Sequence, residues 1–159
     1  MSRTYSFWKN HPFSNWYSST FTVDGVQYCC GEQYMMAQKA NLFKDEEICR
    51  QIMNETSPAK MKALGKKIRR FDEQTWTNDR YELVKKGLRE KFFQNPDLMC
   101  VLMGTGNRVI AEASPYDAIW GIGIGARHPD INRPEVWTGL NLLGKILMDL
   151  RDDFKKELN

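Results

Sequence analysis

Residues that advertise metal or redox chemistry are few. Histidine occurs twice, as His11 and His128, and the four cysteines, Cys29, Cys30, Cys49 and Cys100, form no CxxC pair, so the ligand spacings of structural zinc are missing. Free thiols, and no metal or cofactor, are expected. An excess of one charge is also lacking: 23 Lys and Arg stand against 20 Asp and Glu, a net charge of +3. That is too small to carry extended nucleic-acid binding, so any anion site must be local. No run of about 18 apolar residues is present to cross a bilayer, and the opening MSRTYSFWKNHPFSNW has no apolar core of a secretory leader. No membrane partner and a cytoplasmic location, where thiols stay reduced, are the expectation. The glycines of GIGIG, Gly121, Gly123 and Gly125, lack the GxGxxG spacing and βαβ setting of a dinucleotide turn, and no Walker-type phosphate loop occurs. Repeats, low-complexity tracts and Ser/Gly linkers are missing too.

What is there suits one domain spanning residues 1 to 159, 42% hydrophobic and long enough to close a core. Phe21, Val23, Val26 and Tyr28 flank Asp24-Gly25, a two-residue hairpin turn. Residues 32 to 43 space Tyr34, Ala37 and Leu42, and Met36, Ala40 and Phe43, at helical intervals. Asp45 caps EEICRQIM, and Ser57-Pro58 opens a helix over AKMKALGKKI. A helix from Asp79 runs until Asn95-Pro96 stops it, and a short one covers Leu98 to Met103. RVIAEASPYDAIWGIGIGARHPD reads as a strand entering an ordered loop. PEVWTGLNLLGKILMDLRDDFKKEL reads as one long amphipathic helix. The fold class is mainly α, with a small N-terminal β-hairpin and short strands.

Polar and aromatic residues gather in PFSNWY, GEQYMMAQKA, IRRFDEQTW and EASPYDAIWGIG, beyond what packing alone explains. In this order and spacing the four blocks resemble the NADAR (YbiA-like) family, from about Phe7 to Arg151. The closing WTGLNLLGKILMDLR, residues 137 to 151, is similar to that family's last helix. The resemblance implies a mainly helical fold and hydrolysis of N-glycosidic bonds. One branch acts on phosphoribosylamino-pyrimidine intermediates early in riboflavin synthesis, and another removes ADP-ribose from guanine. The partners it implies are a small phosphoribosyl or ADP-ribosyl substrate and, for the second branch, ADP-ribosylated nucleic acid; the oligomeric state is left open.

Glu32 and Lys39, seven residues apart, fall on nearly the same helix face about 10 Å apart along the axis, so long side chains can converge on one ligand. Glu32 stands in a first turn, where the dipole favours its carboxylate; it is either an ordinary first-turn acid or the group that stabilises positive charge or holds a water. Lys39, among Ala37, Ala40 and Leu42, is either a snorkelling lysine or an amine nucleophile for a Schiff base. Breaking a ribosyl–nitrogen bond passes through an oxocarbenium-like state that an anion near C1 stabilises. Asp117, between Pro115 and Gly121, is the second candidate carboxylate, or a turn residue. Trp76 and Trp120 are candidates to stack the base, and Gly121 to let a ligand approach. Arg69 and Arg70, in GKKIRRF, are candidates for the phosphate. Asn15 is a candidate for hydrogen bonds to ribose or base.

Overall fold

The computed structural model describes residues 3–159, which hold six α-helices and four short strands. They form two compact units, one of the segment up to Ser14 together with Asp97–Asn159, the other of Asn15–Pro96.

The Asn15–Pro96 unit opens on the expected hairpin, β2 (Phe21–Val23) antiparallel to β3 (Val26–Tyr28). Asp24 (φ 49°) and Gly25 (φ 81°) both take the left-handed conformation that a twisted two-residue turn requires. Helix α1 (Gly31–Leu42) follows and is buried without a break from Gly31 to Ala37. It shows no clean stripe because neighbours cover it on several sides: α2 (Glu46–Met53), α3 (Pro58–Gly65) and α4 (Glu73–Gln94) all pack on it. Asp45 and Ser57 cap α2 and α3 as expected, accepting from the Ile48 and Lys60 amides at 3.2 and 3.4 Å.

Two boundaries differ from expectation. Helix α3 stops at Gly65 instead of running through Ile68; Gly65 lies against the Met36 sulfur, and Lys66 and Lys67 turn away on bonds to Ala63 and Leu64 carbonyls. Helix α4 begins at Glu73, not Asp79, because Asp72 caps it: its Oδ2 accepts from the Thr75 amide and hydroxyl at 2.9 and 2.6 Å.

In the other unit, β1 (Thr4–Phe7) lies parallel to β4 (Val109–Glu112), in register from Thr4 opposite Val109 to Phe7 opposite Glu112. Strand β1 was not expected; four residues are too few to show an alternation. Helix α5 (Pro96–Gly104) leads into this unit, and α6 (Leu142–Leu158) packs on β4. The single helix expected from Pro134 is instead a short 3-10 turn (Pro134–Val136), an extended link and α6. The cause is local. Amides of Gly139, Leu140, Asn141, Leu142 and Leu143 donate to carbonyls of Ile122, Ala118, Gly121, Ile119 and Trp120, so they cannot serve a helix running back to Pro134. Asn141, left-handed at φ 54°, sets the new helix start and spans to β4: Nδ2 donates to the Ile110 carbonyl at 2.9 Å and Oδ1 accepts from the Glu112 amide at 3.1 Å.

Candidate functional site

Around α1 the chain collects ionisable groups that are withheld from water. Glu32 stands in the first turn and is only 3% exposed. The main chain of Asn15 holds that turn, its carbonyl accepting from the Glu32 amide at 2.8 Å. The Asn15 side chain is buried over Gly31, where any Cβ would sit 2.5 Å from Oδ1. That Oδ1 accepts no hydrogen bond among the described residues. The cap of α1 is the Cys30 thiol, which accepts from the Gln33 amide at 3.4 Å; burial pushes it up to about 12.

Lys39, in the last turn of α1, is half-buried. Its Nζ lies 4.7 Å from the centroid of the Phe71 ring and 5.7 Å from that of Trp76. Burial pulls the ammonium below its ordinary value, with Lys66 adding to the pull, while Glu73 and Glu32 push the other way. Burial thus draws the amine toward its neutral, nucleophilic form against the Coulombic pull of two carboxylates, on aromatic faces that also tolerate its cation.

The remaining candidates are placed as follows. Trp76 is buried on α4 beneath Lys39. Arg69 grips buried Asp45, with Nη2 to Oδ1 at 2.7 Å, Nε to Oδ2 at 3.1 Å and the main-chain amide to Oδ2 at 2.8 Å. These bonds hold the Asp45 carboxyl well below the usual range. Arg70, left-handed at φ 60°, donates Nε to the Phe43 carbonyl and Nη2 to that of Lys44 at 2.6 Å, closing the C-terminal end of α1. In the other unit, Asp117 Oδ1 accepts from the amides of Ile119 and Trp120, both at 2.9 Å, and so builds its own turn. Trp120 is half-buried, and the Cβ side of Gly121 is filled by the Asp117 and Glu112 carbonyls, at 2.8 and 3.1 Å from where a Cβ would stand.

Sequence reasoning passed over Phe71 and Glu73 at Lys39, although both lie in the IRRFDEQTW block; only the earlier start of α4 brings Glu73 within range of the amine. It also passed over Lys91, which is completely buried and which desolvation draws down to about 7 against the opposing pull of Cys30. Among the described residues no group of three or more His, Cys, Asp or Glu is arranged to hold a metal ion, and all four cysteines are free thiols. No helix of the described residues is long and apolar enough to cross a membrane.

The profile of the NADAR domain matches residues 6–155. An N-glycosidase of Acanthamoeba polyphaga mimivirus is 45% identical over 149 residues, covering 90% of this chain and 87% of that protein. N-glycosidase YbiA of Shigella flexneri is 30% identical over 145 residues, 91% of this chain and 82% of its own. A riboflavin biosynthesis protein of Vibrio vulnificus is 32% identical over 93% of this chain, which spans 37% of that longer protein. The solution structure of the Escherichia coli protein YbiA superposes with a TM-score of 0.80 at 28% identity, over 99% of this chain and 89% of that one.

Proposed function

The chain belongs to the NADAR domain family, and from that membership we propose that it is an N-glycosidase that hydrolyses the bond between a nitrogen base and a phosphorylated ribose. Its substrates are phosphoribosylamino-pyrimidines of the kind formed early in riboflavin synthesis. The whole chain is read as one NADAR domain, acting in the cytoplasm on a small molecule.

One observation carries the reading: a half-buried lysine with a lowered pKa, set over two aromatic rings and acted on by Glu32 and Glu73. An amine poised in this way is suited to attack C1 of a ribosylamine. In the covalent route the furanose ring opens, Lys39 Nζ bonds to C1, and the bond from C1 to the base nitrogen breaks with a proton passing to the departing base. Water then adds to the lysine imine and releases the sugar as its aldehyde. In the direct route a water held by Glu32 adds to C1 as the base leaves, and Lys39 acts as its charge partner. In both, Glu32 stabilises positive charge at C1. Asn15 supplies its buried acceptor to a sugar hydroxyl, and Trp76 offers a ring face to the base.

The test is to incubate the protein with a phosphoribosylamino-pyrimidine and, separately, with DNA carrying ADP-ribosylated guanine. Base release from the small molecule supports the reading; release from DNA alone replaces it with nucleic-acid de-ADP-ribosylation, against which the net charge of +3 already argues. Borohydride added during turnover separates the routes, since a reduced adduct on Lys39 forms only through the imine.

A further inference from the structure

The face of α4 that packs on α1 carries a cation that no carboxylate pairs with among the described residues. Trp76, Arg80, Val84 and Gly87 follow one another at intervals of three or four residues along α4, and all are buried. Contacts with α1 flank this stripe. At one end Trp76 lies beneath Lys39, and at the other the Tyr34 hydroxyl donates to the Leu83 carbonyl at 2.8 Å while Gly87 lies against the Tyr34 ring. Arg80 stands between, one helical turn from Trp76, and only 7% of it is exposed. No hydrogen bond or ion pair engages Arg80 among the described residues. Arg69 and Arg70, by contrast, are committed to Asp45 and to the carbonyls of Phe43 and Lys44.

A guanidinium does not shed its proton, and on a residue this enclosed, with no protein partner and its nitrogens reached only by solvent, it stands open to an anion arriving from solution. Its planar fork matches the oxygens of a phosphate. We propose that Arg80 is the phosphate-binding residue, anchoring a phosphorylated sugar whose C1 lies toward Lys39 and Glu32. The identity of the anion as a sugar phosphate rests on the N-glycosidase reading; the need for an anion rests on Arg80 alone.

The probes are ribose 5-phosphate and unphosphorylated ribose, titrated by calorimetry and thermal shift into the wild type, Arg80→Met and Arg80→Lys. Ribose 5-phosphate is expected to raise the wild-type melting temperature more than ribose does. Arg80→Met should weaken ribose 5-phosphate binding by roughly tenfold to a hundredfold, the loss expected for a charge-assisted pair, with ribose binding unchanged. Arg80→Lys should recover part of it. Without ligand, Arg80→Met should melt no lower than the wild type, because the apolar replacement removes an unpartnered charge. Unchanged ribose 5-phosphate binding in Arg80→Met, or a melting temperature well below that of the wild type, would overturn the proposal. The two readings fail separately. Arg80-dependent binding without base release from a phosphoribosylamino-pyrimidine sinks the N-glycosidase reading alone, whereas turnover by Arg80→Met at the wild-type KM sinks the Arg80 proposal alone.

Discussion

Lys39 is the residue on which the proposed chemistry turns. Because burial lowers its pKa, the amine is freed of its proton at lower pH than an ordinary lysine. If it is the nucleophile, kcat/KM should rise with pH along a limb whose midpoint lies below 10.5, and Lys39→Arg should abolish that limb along with the activity. Retention of the limb in the variant would assign it to another group. That Glu32 and Lys39 share a face of α1 was legible from their seven-residue spacing alone, since helical geometry fixes which residues share a face. The arginines were not. A basic run such as GKKIRRF states its charge but not whether carbonyls and a carboxylate already occupy its guanidiniums, which depends on Asp45 and the end of α1 folding beneath it. Asn141 was equally silent in the sequence, being one polar residue within an apolar run. Its two bonds to β4, one buried and one partly so, predict that Asn141→Ala lowers unfolding stability by about 2 to 4 kcal/mol, from stranding the Ile110 carbonyl and Glu112 amide, as read by denaturant titration.

Helices α1, α2 and the interior of α4 were readable because their formers and caps agree with where the chain buries them. The starts of α4 and α6 were missed for different reasons. Asp72 followed by Thr75 is an ordinary cap that GKKIRRF overshadowed. The α6 start is dictated at a distance, by carbonyls from the segment 118–122 drawing off the amides of 139–143, which no local propensity announces. Gly87 shows the same contest. In an exposed helix, alanine would be better than glycine by about 1 kcal/mol. Here a Cβ would enter the ring of fully buried Tyr34, so Gly87→Ala is expected to destabilise by about 1 to 3 kcal/mol through overpacking of α4 on α1. A gain in melting temperature would contradict that packing.

Over the whole molecule, buried titratable groups give stability a defined pH response. Lys91 is drawn down to about 7 in the fold, against 10.5 when unfolded, so above pH 7 the unfolded chain binds the extra proton and stability rises with pH. Cys30, raised from 9.0 to about 12, acts in the opposite sense: from pH 9.0 upward the unfolded thiol ionises first and stability falls. Urea unfolding should therefore show a positive slope between pH 7 and 9 that Lys91→Met removes. The mainly helical class and the family resemblance were both legible because the four blocks run nearly the length of the chain, and the NADAR profile spans residues 6–155.

The most direct measurement is product analysis after incubation with a phosphoribosylamino-pyrimidine, run beside Glu32→Gln, Lys39→Ala and Asp117→Asn variants whose folding is verified by circular dichroism. Free pyrimidine base and ribose 5-phosphate in equal amounts, with release slowed about a hundredfold or more in the Glu32 and Lys39 variants, is the expected result. No base release by the wild type, or equal release by folded Lys39→Ala, would contradict the account.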